Sequence, residues 1–215
     1  MIQITKQASP QPFEDWKKVN RNEKFDKLNA NPHVKSILKN ALINEQKGLC
    51  CYCCTRIKTD NSHIEHIKPK GNKNYSNLRF SYNNLLASCE GFEINNETCG
   101  HNKGEWYDKK LFISPLDNDY ESHFTYTFNG KIQGKINNDA KATEAIYRLN
   151  LNSYELENAR VAIIDSILKD KSLVDCVENI EAEIRHYSMQ DANGRLEPFY
   201  NIIIFTLNYL LNSIG

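Results

Sequence analysis

Residues Cys50 to Lys103 carry six of the chain's seven cysteines, set out as Cys50-Cys51-Tyr52-Cys53-Cys54, then Cys89 and Cys99. Nothing else in the chain restricts the fold as much, because thiols so grouped must bridge, bind metal or be buried. An odd number in knuckle-like pairs argues against a secreted disulfide framework, and in a reducing compartment such clusters bind metal. Cys-x2-Cys is a zinc-knuckle spacing, since thiolates hold zinc tetrahedrally. Two registers satisfy it here, Cys50/Cys53 and Cys51/Cys54. Cys89 and Cys99 complete a four-sulfur set, although nine residues stand between them where a tight knuckle has two. Buried free thiols are the competing reading. Cys176, alone inside a helical pattern, reads as a small core residue.

Inside that frame lie Ile64-Glu65-His66-Ile67-Lys68-Pro69-Lys70, then Asn84, then His101-Asn102-Lys103. Imidazole titrates near physiological pH, so His66 is a candidate acceptor for the proton of an attacking water. It cannot hydrolyse a phosphodiester alone, because charge building on the nonbridging and leaving oxygens needs a cation. Mg2+ or Mn2+ suits that task, held by a carboxylate and one or two N/O groups. Glu65 and His101, or Asn102, are the candidate ligands. The Asn84 amide is placed to hold the His66 ring or the loop that bears it. Lys103, one helical turn past Cys99, is placed to meet a phosphate, and Lys68 and Lys70 are further candidates. The bland alternative is a surface or core His-Glu pair. His63-Ile64-Glu65 also matches the His-x-Glu of zinc deaminases, but that chemistry needs a later Pro-Cys-x2-Cys, which is missing.

Charge is uneven although it sums to zero. Residues 1–110 hold 18 basic against 12 acidic side chains, a net +6, and residues 111–215 hold 9 against 15, a net −6. A basic half containing the candidate site suits a polyanionic substrate, which the acidic half would repel. Solvated faces without partners explain the same charges. The N-terminus shows no apolar signal core, and the run from Phe199 to Leu211 is too short for the roughly 20 apolar residues of a spanning helix. A cytoplasmic protein is expected, with no membrane association.

The rest of the chain reads as flanking structure. Phe13, Trp16 and Phe25 set among Lys17, Lys18, Arg21, Lys24 and Lys27 make residues 1–30 an arm that lies on the domain or reaches a partner or nucleic acid. Asn31-Pro32 opens a helix that Gly48 closes. Ile57 and Ile64 suggest two short strands joined by the turn at residues 58–62, with Cys99 to Tyr107 beginning a short helix. β-Formers on both sides of Asn129-Gly130 predict a hairpin. Helices follow over about 140–149, 153–169, 172–187 and 197–211. The expected fold is α+β, with three parts: an arm and helix (1–49), a zinc-stapled core with its hairpin (50–136), and a helical bundle (137–215).

Taken in order, Leu49-Cys50-Cys51-Tyr52-Cys53, Ile64-Glu65-His66-Ile67-Lys68-Pro69-Lys70, Asn84-Leu85-Leu86-Ala87-Ser88-Cys89 and Cys99-Gly100-His101-Asn102-Lys103-Gly104 resemble the HNH endonuclease superfamily and its ββα-metal core. The Ile-Glu-His-x-Lys-Pro-Lys and Cys-Gly-His-x-Lys-Gly phrases are similar to its PtuB-like subfamily, the nuclease component of Septu anti-phage systems and of some retrons. The core motifs cover about a quarter of the chain. The resemblance favours the Cys50/Cys53 register and implies structural Zn2+ on Cys50, Cys53, Cys89 and Cys99. It makes His66 the general base, Asn84 its orienter, and Glu65 and His101 ligands of a catalytic Mg2+ or Mn2+. Glu65 stands where Asp is usual in the superfamily. His101 follows Cys99 by two residues rather than one, so Asn102 stays an alternative ligand. Implied partners are a nucleic-acid substrate (DNA before RNA or tRNA) and a PtuA-type ATPase, in some systems with a retron reverse transcriptase and its RNA or DNA. The competing function is a non-catalytic, zinc-stabilised nucleic-acid-binding or adaptor module.

Overall fold

In the computed structural model, which describes residues 1–91, 97–173 and 176–214, the first residues are core rather than arm. Met1, Ile2 and Ile4 are buried, and Ile4 N–H donates to the Pro115 carbonyl at 2.7 Å. Helix α1 (Gln11–Asn20) buries Phe13 and Trp16, and a 3-10 turn at Phe25–Ala30 buries Phe25 and Leu28. The aromatic anchors of residues 1–30 therefore hold the segment down on the domain.

Helix α2 (Pro32–Glu45) begins where Asn31 Oδ1 accepts from Val34 N–H, with Pro32 contributing no orphan donor at the first turn. It ends where Lys47 and Gly48 take positive φ, and Gly48 N–H closes back on the Ile43 carbonyl at 2.9 Å. The chain then enters the first thiol pair.

Strand β1 (Ser62–His66) pairs antiparallel with β2 (Leu85–Cys89), in a register that sets Ser62 opposite Cys89 and His66 opposite Leu85. This differs from the expected pairing across the turn at 58–62. Around Ile57 the chain makes one bridge only, Leu49 with Arg56, as part of the knuckle. The partner strand was hidden because all five residues of β2 are buried, so no alternation marks it. Short helix α3 (Cys99–Lys103) lies against β1, with Gly100 facing His63 and Glu65.

The second pair, β3 (Phe124–Tyr126) and β4 (Ile132–Gly134), is the expected hairpin. Gly130 sits at φ +80°, and a Cβ there would fall 2.3 Å from the Glu157 carbonyl oxygen, so only glycine fits. Helices α4 (Ala140–Arg148), α5 (Tyr154–Leu168), α6 (Val177–Ser188) and α7 (Tyr200–Ile214) follow. The third expected helix began near 172, but residues 174–175 lie outside the described residues. Cys176 is half-exposed at the start of α6 instead of inside a core. The caps are legible ones, with Asp139 accepting from Lys141 and Ala142, and Ser153 from Leu156.

One apolar cluster runs from Met1 and Leu38 through the thiols, Ile113 and Leu149 to Ile164 and Ile202, crossing both expected part boundaries. Arg160 of α5, 2 % exposed, stitches across it by donating to the carbonyls of Gly130 and Leu151. Among the described residues, no helix is long and apolar enough to cross a membrane.

Candidate functional site

The knuckle after α2 turns tightly. Cys54 N–H donates to the Cys50 carbonyl at 3.2 Å, and Cys54 takes φ +63°. That turn sends alternate thiols to different places. Ligand atoms of Cys50, Cys53, Cys89 and Cys99 all lie within 4.8 Å of one another and are buried. Cys53 and Cys89 sulfurs are 3.7 Å apart. Two sulfurs bound to one zinc at about 2.3 Å in a tetrahedron would be about 3.8 Å apart. The group can therefore hold a structural metal, and four thiolates suit zinc. Burial pushes the Cys53 and Cys99 thiols well up, whereas Cys50, though equally buried, is held well down by the thiols around it. A cation held between the four sulfurs would resolve that conflict.

The other register goes elsewhere. Cys51 packs in the main core, and Cys54 joins Ile2, Leu49 and Leu196 in a second one, accepting from Asn201 Nδ2 at 3.8 Å.

β1 presents His63 and Glu65 toward α3, and Ile64 and His66 to the other side, by the two-residue alternation of a strand. Glu65, 6 % exposed, accepts through Oε1 from Tyr52 Oη at 3.2 Å and pairs with Lys103 Nζ at 2.9 Å. Burial pushes its carboxyl up, but the neighbouring His63 and Lys103 outweigh that and the net shift is down. Lys103 is itself buried and also donates to the His66 carbonyl at 2.9 Å. It thus braces the Glu65 carboxylate and the end of β1, with no solvent face to offer a phosphate.

His66 has different neighbours. Its ring stands edge-on to Phe25, centroids 4.4 Å apart, and Nε2 lies 3.0 Å from the Arg79 carbonyl oxygen. A carbonyl only accepts, so Nε2 carries the hydrogen and Nδ1 the lone pair. Burial lowers the imidazole to about 4, which keeps it neutral at physiological pH. Among the described residues, the Asn84 amide makes its hydrogen bonds to backbone and not to the His66 ring. It clamps the following loop, accepting from Lys68 N–H at 2.8 Å and donating to the Lys68 carbonyl at 2.9 Å.

Lys68 extends past Tyr75 and Tyr107 and lines, with Asn84, Tyr107 and Lys109, an open cavity of about 450 Å3. Lys70 pairs with Asp26 at 2.7 Å. His101 is exposed on α3 and hydrogen-bonds Glu90 Oε2 through Nε2 at 2.7 Å. Asn102 turns away to the Arg148 carbonyl. His101, and not its alternative Asn102, thus lies on the side of β1 that Glu65 faces, while the His66 ring leaves the strand on the other side. Glu65 and His66, adjacent in sequence, work from opposite sides of β1.

Two further residues stand in this region: His63, considered in the sequence only as part of a deaminase-like His-x-Glu, and Glu90. Ligand atoms of His63, Glu90 and His101 lie within 4.8 Å of one another. Strand alternation was the signal that pointed to His63, because position 63 must share a face with Glu65. Glu90 had no signal beyond following Cys89.

No family model matches the chain. It is 29% identical over 177 residues to the "Retron Vc95 putative HNH endonuclease" of Vibrio cholerae, covering 78% of this chain and 84% of that protein. It is 30% identical over 204 residues to the "Retron Ec83 putative HNH endonuclease" of Escherichia coli, covering 74% and 78%. It is 26% identical over 200 residues to the Septu protein PtuB of Bacillus mycoides, covering 80% and 66%.

Proposed function

We propose, because this chain belongs to the HNH endonuclease family and to its PtuB-like group, that it hydrolyses phosphodiester bonds of nucleic acid as the effector of an anti-phage defence complex. DNA is the first substrate to test, and RNA or tRNA the second. Residues 50–136 form the catalytic unit in this reading, with its β1, β2 and α3 as a ββα-metal core.

The observation that carries the reading is the His66 imidazole, neutral, with Nε2–H anchored on the Arg79 carbonyl and the lone pair on Nδ1. That is the protonation state a general base needs to take a proton from water. Asn84 holds the Lys68 backbone, and through it the loop that leaves His66, in place. Lys68, at the edge of the open cavity, meets the substrate phosphate, and Lys70 adds positive charge nearby. Lys103 keeps Glu65 ionised and the end of β1 fixed. Buried Cys50, Cys53, Cys89 and Cys99 hold zinc as a staple joining β2, the knuckle and α3.

A catalytic Mg2+ or Mn2+, when bound, supplies positive charge to the phosphate oxygens. The donor set beside α3, with two imidazoles and a carboxylate and a buried His63 ring nitrogen that has no hydrogen-bond partner among the described residues, fits a divalent cation. Glu65 and His101 are on that side of β1, whereas Asn102 is engaged elsewhere.

The retron and Septu names of the relatives support action with partner components, for which a PtuA-type ATPase, with or without a reverse transcriptase and its nucleic acid, is the candidate. The test is nicking of plasmid DNA and cleavage of tRNA by the chain with its co-purified partners. His66→Ala should lower cleavage at least 100-fold with zinc content unchanged, as general-base loss does. Full cleavage by His66→Ala, or none by the intact complex on any nucleic acid, would favour the adaptor reading instead.

A further inference from the structure

We infer that His63, Glu90 and His101 form a second metal site, separate from the four cysteines, that takes a transition-metal dication such as Mn2+, Co2+ or Zn2+ in preference to Mg2+. His63 comes from β1, Glu90 from just past the end of β2, and His101 from α3, so three elements converge on one point.

Glu90 Oε2 is 2.7 Å from His101 Nε2 and 3.6 Å from His63 Nδ1. Two donors at about 2.0–2.2 Å from one ion are roughly 3.0–3.5 Å apart, so small side-chain movements complete the site. His63 Nδ1 is buried, and no hydrogen-bond partner satisfies it among the described residues. A ring nitrogen in that position costs free energy unless something electrophilic faces it. His63 and His101 rings stand 4.2 Å apart, tilted by 47°, close enough to share an ion and not stacked as a packing pair.

Gly100 makes the arrangement possible. A Cβ there would fall 2.4 Å from His63 Nε2, so any other residue would evict the ring. At the ring nitrogen away from that site, Glu65 Oε2 lies 3.8 Å from His63 Nε2. Two imidazoles and one carboxylate match the preferences of Mn2+, Co2+ and Zn2+, whereas Mg2+ prefers an all-oxygen shell. Glu90 and His101 are exposed, which leaves coordination positions open toward solvent and a ligand.

This inference rests on the nuclease reading only for what the ion would do there, and its test does not use cleavage. The full-length chain with one zinc bound is titrated with CoCl2 and, separately, MnCl2 and MgCl2, with binding followed calorimetrically and the Co2+ ion by its visible d–d bands. The expected result is one further Co2+ or Mn2+ per chain, with Mg2+ at least tenfold weaker. The Co2+ bands should lack thiolate charge transfer. His63→Ala and Glu90→Gln should each weaken that ion at least tenfold while retaining one zinc and the wild-type circular dichroism. Gly100→Ala, which keeps all three donors, should weaken it too.

Wild-type-like Co2+ binding by both His63→Ala and Glu90→Gln would overturn the inference, as would no further ion at 1 mM Co2+. Metal-dependent cleavage that survives in His63→Ala and Glu90→Gln would sink the catalytic use of this site, not the site itself.

Discussion

Gly100 on α3 and His63 on β1 touch so closely that no side chain fits between them: a Cβ on Gly100 would lie 2.4 Å from His63 Nε2 and 2.8 Å from Glu65 Oε2. His63 is partly exposed and can swing out, whereas Glu65 is held by Tyr52 and Lys103. Gly100→Ala should therefore unfold about 1–3 kcal/mol more easily, the ordinary cost of overpacking. A urea titration reads that cost. Equal stability would mean that α3 stands farther from β1 than described.

The four clustered thiols should not be interchangeable with the other two in the knuckle. Cys53→Ser or Cys99→Ser should lose the zinc held by the four sulfurs and abolish the stabilisation that this metal gives the folded state. Cys51→Ser should keep its zinc and lose about 1–3 kcal/mol, because a hydroxyl replaces a thiol in the apolar core. Zinc content by atomic absorption with thermal melting checks both. A zinc-free Cys51→Ser would overturn the assignment of sulfurs.

Much of this was legible because local chemistry fixed it. Asn31-Pro32, Asp139 and Ser153 mark helix starts through side-chain oxygens that need no tertiary context. Asn129-Gly130 marks a turn for the same reason, since Gly130 at φ +80° is where the chain must reverse. The β1–β2 pairing was not legible, because Leu85 to Cys89 is buried on both faces and carries no period. The two-sided site was half legible. Glu65 and His66 as neighbours on a strand must face opposite ways, which the two-residue period of β1 makes readable once the strand is known. Glu90 was invisible, because only the meeting of β1, β2 and α3 gives it two histidine neighbours.

His66 should make the fold sensitive to mild acid. Its folded pKa, lowered to about 4 by burial, lies below the unfolded value of about 6.5. Between those values the unfolded chain binds the extra proton, so stability falls as pH drops. From pH 7 to pH 5 the loss assigned to this one group is about 2 kcal/mol. His66→Leu should remove that share of the slope. Chemical denaturation of both proteins at the two pH values is the check, and parallel curves would mean that the imidazole is not held neutral. Over the same range the base stays unprotonated, so cleavage by folded protein should not decline through pH 6.5.

The buried Glu65–Lys103 pair gives the opposite contrast between single and double replacement. Lys103→Met leaves the Glu65 carboxylate buried without its ammonium and should cost about 3–5 kcal/mol at pH 7, whereas Glu65→Gln with Lys103→Met should recover most of that. The pH dependence follows from the direction of the shift. With Lys103 present, the folded pKa of Glu65 lies below its unfolded value of about 4.3, so its contribution is complete above that value and fades as pH falls through the folded pKa. Without Lys103 burial is less opposed and the carboxyl moves up, so protonation relieves the variant earlier. Lys103→Met should therefore be penalised less, relative to the wild type, at pH 5 than at pH 7. A penalty that stays constant with pH would mean that Lys103 contributes packing against Phe112 and the end of β1 rather than charge.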